Sequence, residues 1–406
     1  MSGTEARMIP EEEARRIVLA KALPLGTEHV PVEQALGAVL AEEVASDIDM
    51  PPFNRAAMDG YAVRLADTAV TPAELTIVEC IKAGDVPKHT VGAGQCSEIM
   101  TGAPVPDGAD AVVPVEQTEP VGHSQVRILE PVAAKSNIAQ QGEDLRRGDV
   151  VLEPGRVLRS AEIGLLAMVG RREVEVYGRP RVAILATGDE LIEPDQAPRP
   201  GQTRNCNNSS LLAECARAGF QAAALGIARD TREELETKIR AGLEADVLLV
   251  SGGVSMGRYD LVPQVFEALG AKVHFSKVAI KPGKPTVFAT CAKRLVFGLP
   301  GNPVSVIVAF RLFVEPALWK MAGQLDWAPQ MTSVKLTGSL CNRGDRRTYL
   351  PARLTSSTGG LLADPVPSHG SGDLMALTNA DALIQVEAGA GEVSAGTEVP
   401  ALLLEG

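Results

Sequence analysis

Aromatic residues make up only 3% of this 406-residue chain, and no apolar run approaches the ~18 residues that span a bilayer. The longest candidate, 304–314, is broken by Arg311, so no membrane segment is expected. The opening MSGTEARMIPEEEARR is acidic and has no apolar centre, unlike a secretory signal. Net positive charge is also missing. At -12 the chain is a poor non-specific binder of nucleic acid or acidic lipid. The six cysteines, Cys80, Cys96, Cys206, Cys215, Cys291 and Cys341, contain no C-x-x-C pair and have no histidine at ligand spacing. That argues against a disulfide framework or structural zinc, and for reduced thiols in a cytoplasmic protein. The five histidines lie outside the glycine-rich loops described below, which disfavours Ser-His or Cys-His nucleophilic chemistry. Neither G-x-x-x-x-G-K-[ST] nor G-x-G-x-x-G occurs where a phosphate loop would need it.

The length implies two to four domains. Pro10 followed by Glu11, Glu12 and Glu13 is a helix start, and Val32, Leu36, Val39 and Leu40 share one face of an expected second helix. From about 46 to 145, short strand-like pieces alternate with Pro and Gly, the texture of a β-rich module. A helix over 160–169 then returns to the first pair, making a small discontinuous scaffold of about 1–45 and 146–178 around the inserted module. Over 179–325, buried-type strands alternate with helices, which predicts a doubly wound, mostly parallel α/β domain. The last of these helices starts at Pro303, with an interruption expected at Glu315-Pro316. Residues 326–406 read as a small barrel-like β domain, so the fold class is multidomain α/β plus β.

Each strand of the α/β domain ends in a polar or glycine-rich turn. Ligands of parallel sheets bind at that edge. Ser251-Gly252-Gly253-Val254-Ser255-Met256-Gly257 allows backbone N–H groups to converge on an anion, or serves as an ordinary loop. Asp189 and Glu190 suit Mg²⁺, which takes one or two carboxylates plus phosphate oxygens, or they form a solvated turn. Asp230 opens an Asp-x-x-Glu capping box and reads first as a cap; Asp260 is similarly placed. Lys281 and Lys284 project from a Pro-Gly turn with Lys277 close by, and no acid stands between them. Asn302 and Pro303 open a helix whose exposed N–H groups, with Ser305, can meet an anion. Phosphate cradles, cations and carboxylates together suit a phosphoanhydride.

TGDEL (187–191), SGGVSMG with Asp260, KPGKP (281–285) and PGNPVS (300–305) together resemble the molybdopterin molybdenumtransferases, the MoeA and gephyrin E-domain family. PPFNRAAMDGYA (51–62), MTGAPVP (100–106) and QGEDL (141–145) resemble the family's other motifs in the same order. The resemblance implies an Mg²⁺-dependent enzyme that inserts molybdate into adenylyl-molybdopterin and releases AMP. It also implies a homodimer whose cleft lies between subunits, and contact with the adenylyltransferase that supplies the substrate. By position, Asp59, Thr101 and Asp144 fall on the β-module side. Glu190, Asp230, Asp260 and the Gly252-Gly253 loop with Ser255 fall at the nucleotide and metal. Lys277, Lys281 and Ser305 fall at the pterin phosphate or molybdate, Lys284 is expected among the cofactor-binding residues, and Ser371 is a candidate molybdate contact. Pro351 stands where many relatives carry arginine, leaving Arg353 and Arg347 as candidate replacements. Two other functions fit the fold: a molybdopterin adenylyltransferase and a non-catalytic scaffold.

Overall fold

Val182–Thr187 and Val247–Ser251 are buried at every position, as strands covered by helices on both faces must be. In the computed structural model, which describes residues 7–254 and 261–404, they form the middle of a six-stranded sheet. The order is Ala222–Ala228, Val182–Thr187, Val247–Ser251, Arg294–Leu299, Val287–Cys291 and Lys272–Phe275. The first four strands are mutually parallel; Val287–Cys291 runs against its two neighbours because a tight turn joins it to Arg294. Alternate side chains feed two cores. Val182, Ile184, Val247 and Leu249 pack under the helix Asn207–Arg217 and the helical stretch that begins at Pro303. Ala183, Leu185, Leu248 and Val250 pack under Arg232–Gly242 and Val262–Ala268. The interruption expected at Glu315-Pro316 is replaced by a π-turn over Phe310–Val314. The extra residue lets Pro316, which has no N–H, enter the next helix, Glu315–Met321, within its first turn.

The inserted module is a second six-stranded sheet, ordered Ala111–Pro114, Gly60–Val63, Gln95–Ile99, Ala73–Ile81, Gln125–Ile128 and Thr118–Val121. Strand pairs join the two halves of the scaffold around it: Val44–Ala45 with Val150–Leu152, and Thr27–Pro31 with Glu173–Tyr177. The second helix expected around 32–40 is absent. Val32–Gln34 makes one 3₁₀ turn, Gly37 adopts φ +71°, and Leu36 is 60% exposed. Val39 and Leu40 are buried through extended pairing with Val157 and Val176, not through a helical face. The first helix, Glu11–Lys21, packs Ala14 and Val18 into the α/β core rather than against the scaffold. Among the described residues no helix is long and apolar enough to cross a membrane.

In the carboxyl-terminal domain Arg347–Ser357, Gly360–Pro365, Met331–Leu336, Glu398–Leu403 and Ala382–Val386 pair in succession, and the last returns to the first, closing a five-stranded barrel. A short strand from the α/β domain, Ile280–Lys281, adds in parallel to Arg347 and Thr348. Arg347 binds Glu11 at 3.1 Å, Glu387 at 3.0 Å and Glu12, while the Tyr349 hydroxyl donates to Glu11 at 2.7 Å. Burial opposes the Arg347 charge, but the Glu387, Glu12 and Glu11 carboxylates outweigh it and raise the guanidinium pKa above its ordinary value. Burial likewise pushes the Tyr349 phenol up.

Arg347→Ala takes one cation from the Glu11 carboxylate, whose side chain is 3% exposed, and leaves it Arg15 at 3.3 Å and the Tyr349 hydroxyl. We expect a loss of about 2–3 kcal/mol in urea unfolding, against about 1 kcal/mol for Tyr349→Phe. In the scaffold helix Ser160–Met168, a hydrogen bond from Arg159 and another from Arg156 hold the Glu162 carboxyl at about 2, against the opposing effect of burial. The folded pKa lies below the unfolded value of about 4.3. Glu162 therefore contributes its full stabilisation above pH ~4.5 and loses it as pH falls towards 2. Glu162→Gln should cost about 1–2 kcal/mol at pH 7 and flatten the acid limb of a stability-versus-pH curve.

Candidate active site

The chain runs from Val182–Thr187 outward to Ala222–Ala228, then back across to Val247–Ser251, so the strand order reverses between the first and third of these strands. A crevice at the carboxyl ends of such strands is the standing ligand site of doubly wound sheets. Gly252 and Gly253 begin the loop there with φ +91° and +61°. A Cβ on Gly252 would lie 2.4 Å from the Thr187 carbonyl oxygen, and one on Gly253 would lie 3.0 Å from Val262. Only glycine permits this backbone to lie so close to the neighbouring strand. The Ser251 hydroxyl beside it is buried and has no hydrogen-bond partner among the described residues. Ser255 and Asp260, expected to complete this wall, lie outside the described residues.

Facing the glycines is the turn after Thr187. The Asp230 backbone N–H donates to Asp189 Oδ1 at 3.1 Å, and Asp230 Oδ2 accepts from Asp189 N at 3.4 Å. The Thr187 hydroxyl donates to Asp230 Oδ1 at 2.7 Å. The expected capping role of Asp230 is therefore corrected. Thr231 is the N-cap, accepting from Glu234 N at 3.4 Å, which leaves the Asp230 carboxylate facing the Asp189 turn. Glu190 folds back over Gly188, its carboxylate 2.6 Å from where a Cβ would stand. Arg229 clamps this turn by donating to the carbonyls of Asp189 and Leu191 at 3.0 Å. No three His, Cys, Asp or Glu groups among the described residues converge tightly enough for an all-protein metal cage. Two or three exposed carboxylates with no nitrogen or sulfur donors fit a hard divalent ion that keeps waters and takes phosphate oxygens.

A cleft of about 500 Å³ lies where the lysine turn, the Pro303 helix start and the barrel meet. Lys281, Lys284, Asn302, Ser305, Arg346 and Ser371 line it, and no carboxylate does. In a chain of net charge -12 that is a concentrated positive field. The turn is rigid: Gly283 has φ +118°, Thr286 Oγ1 donates to its carbonyl at 2.7 Å, and Val278 N donates to the Lys284 carbonyl at 2.9 Å. The Asn302 side chain makes no cap; its amide donates to Ser371 Oγ at 2.7 Å, and Val304 N donates to the Ser371 carbonyl at 3.1 Å. Ser371, from the barrel domain, is thus fixed at the helix start.

Several expected residues stand elsewhere. Lys277 does not line the cleft, and its carbonyl accepts from Ile9 N. Arg347 is consumed by its carboxylates, so it is not a free guanidinium. Arg353 is exposed beyond the cleft, although it shares a strand face with Pro351. The guanidinium in the cleft is Arg346, held by an Nη1 bond to the Ile280 carbonyl at 3.3 Å. Sequence reading missed it because that contact exists only once Ile280–Lys281 joins the barrel. On the β module, the backbone N–H and hydroxyl of Thr101 both donate to Asp59 Oδ1 at 2.7 Å and hold its carboxyl below the ordinary range. Asp144 lies in the loop whose backbone bonds Met50. Among the described residues no hydrogen bond or ion pair joins Asp59, Thr101 or Asp144 to the α/β loops.

Three family descriptions match the chain in order: "MoeA N-terminal region (domain I and II)" over 9–170, "Probable molybdopterin binding domain" over 183–320 and "MoeA C-terminal region (domain IV)" over 333–404. A Staphylococcus aureus protein named molybdopterin molybdenumtransferase is 32% identical over 405 residues, 98% of this chain and 96% of that one. A Staphylococcus epidermidis protein of the same name is 32% identical, with 100% and 98% covered. The solved structure of the molybdopterin biosynthesis moeA protein from Pyrococcus horikoshii superposes with a TM-score of 0.84 at 32% identity, covering 98% of this chain and 100% of that one.

Gly252→Ala should cost about 2–3 kcal/mol in thermal or denaturant unfolding, from the positive φ and the clash with the Thr187 carbonyl. Gly122, also at positive φ (+67°) but with open space around its Cβ position, should tolerate alanine with a smaller loss, of about 1 kcal/mol.

Proposed function

The chain belongs to the MoeA family of molybdopterin molybdenumtransferases, and on that premise we propose that it inserts molybdate into adenylyl-molybdopterin with release of AMP. The observation that carries this reading is the acid-free cleft of about 500 Å³ with Lys281, Lys284 and Arg346 on its walls, on the same sheet edge as the glycine loop and the carboxylate turn. Lys281, Lys284 and Arg346 hold the pterin phosphate and the incoming molybdate, with Ser305 and Ser371 as neutral donors to the oxyanion. The Gly252–Gly253 backbone holds the nucleotide half, extended by Ser255 and Asp260. Asp189, Glu190 and Asp230 hold Mg²⁺, which when bound supplies charge neutralisation at the phosphoanhydride. Lys277 adds to the positive field behind the cleft, and Arg353 to the field outside it. Catalysis by this chain is then positioning and electrostatics, with no covalent enzyme intermediate.

We also infer that the enzyme is a homodimer. Asp59, Thr101 and Asp144 sit on a module that makes no described polar contact with the α/β loops of its own chain. In this reading the partner subunit brings them to the cleft. A cytoplasmic location and transfer of substrate directly from the adenylyltransferase complete the proposal.

Purified protein given adenylyl-molybdopterin should release AMP only when both molybdate and Mg²⁺ are present. Lys281→Ala should slow release by about 10²-fold or more. Asp59→Asn and Lys281→Ala proteins, each inactive alone, should recover about a quarter of wild-type activity when unfolded, mixed and refolded together, because half the dimers then carry one intact cleft. No recovery on mixing would place Asp59 and Lys281 in clefts of one chain. No AMP release by the unsubstituted protein would sink the enzymatic reading.

A further inference from the structure

Thr187 touches both halves of the nucleotide–metal wall. It ends the strand Val182–Thr187, is 2% exposed, and lies where the strand order reverses. Its carbonyl oxygen lies 2.4 Å, and its methyl 3.3 Å, from the Cβ positions that Gly252 and Gly253 leave vacant. Its hydroxyl donates to Asp230 Oδ1 at 2.7 Å. The other Asp230 oxygen is held more loosely, by Asp189 N at 3.4 Å. The Thr187 bond is therefore the short, directional restraint on that carboxylate. It comes from a β-branched residue whose χ1 is fixed by the strand around it.

We propose that Thr187 is a positioning residue: its hydroxyl aims the Asp230 carboxylate across the crevice so that a divalent cation bound there meets the phosphate of a nucleotide seated on the Gly252–Gly253 loop. This rests on the reading of Asp230 as a metal-side carboxylate. A carboxylate on an exposed turn samples several rotamers, and a cation bridging it to phosphate must stop that motion. A donor on a buried strand end fixes the rotamer before the cation arrives, as hydrogen-bond donors behind ligating carboxylates do elsewhere. Metal and nucleotide are thereby coupled through one residue, because the atoms that shape the glycine loop belong to the same side chain and peptide.

The coupling can be read without turnover. Titration calorimetry of the full chain with AMP, with and without Mg²⁺, gives the factor by which the cation tightens nucleotide binding. Thr187→Val keeps the shape and removes the hydroxyl, and should reduce that factor about tenfold while leaving metal-free AMP affinity within twofold of wild type. Thr187→Ser keeps the hydroxyl, and should retain the Mg²⁺ effect even if its thermal midpoint falls. Asp230→Asn is the control on the underlying reading and should also lose the effect. If Asp230→Asn loses it and Thr187→Val does not, the positioning role is overturned and the reading of Asp230 stands. Loss in Thr187→Ser matching that in Thr187→Val would make methyl packing the cause, which also overturns it. If Asp230→Asn leaves the effect unchanged, or wild type shows none, the metal-side reading of Asp230 falls and the inference falls with it.

Discussion

One half-buried guanidinium holds the working surfaces of this chain in register. Arg347 reaches Glu11 and Glu12 on the first helix and Glu387 in the barrel. Its strand also pairs with Ile280–Lys281 from the α/β domain. Three parts of the molecule meet at that residue, and its charge is compensated well enough for burial to be tolerated. Lys281 is carried on the strand that Arg347 anchors, and Arg346 is the adjacent residue. The position of two of the cleft's cations is thus tied to an ion-pair cluster that lies outside the cleft itself.

The electrostatic arrangement follows from the same geometry. Arg347 is surrounded by carboxylates and contributes little field outside its own cluster, whereas Arg346, Lys281 and Lys284 face a cleft with no acid on its walls. Two arginines adjacent in sequence therefore have opposite roles. Arg347 opens the strand and turns into the interdomain cluster, while Arg346, in the bend just before it, is held at the cleft by its bond to the Ile280 carbonyl. A chain of net charge -12 can still attract an oxyanion to one spot, because its carboxylates are sorted onto other surfaces.

That sorting also explains what the sequence shows and what it hides. The parallel strands were legible because burial on both faces leaves unbroken apolar runs such as VAILAT and VLLV, and the loops were legible because each begins where such a run ends. The apolar spacing of Val32, Leu36, Val39 and Leu40 misled, since Gly37 at φ +71° turns the chain and Leu36 faces solvent. Asp230 looked like a cap because the local pattern fits one; Thr231 takes that role, and a partner 43 residues away in sequence claims the carboxylate. Arg229 and Arg346 were invisible for the same reason, as their acceptors are the carbonyls of Asp189, Leu191 and Ile280. The family motifs pointed to the loops, but only tertiary contacts say which atom in a loop is free for a ligand.

The separation of Asp59 from the α/β edge belongs to the same logic. Its carboxylate is fixed by two donors from Thr101, yet it is exposed, and among the described residues no hydrogen bond or ion pair joins it to the α/β loops. An exposed carboxylate oriented by a backbone N–H and a hydroxyl has had its rotamer restricted without any gain in burial, which a solvated surface residue does not require. That restriction is of use where a second surface arrives to meet it.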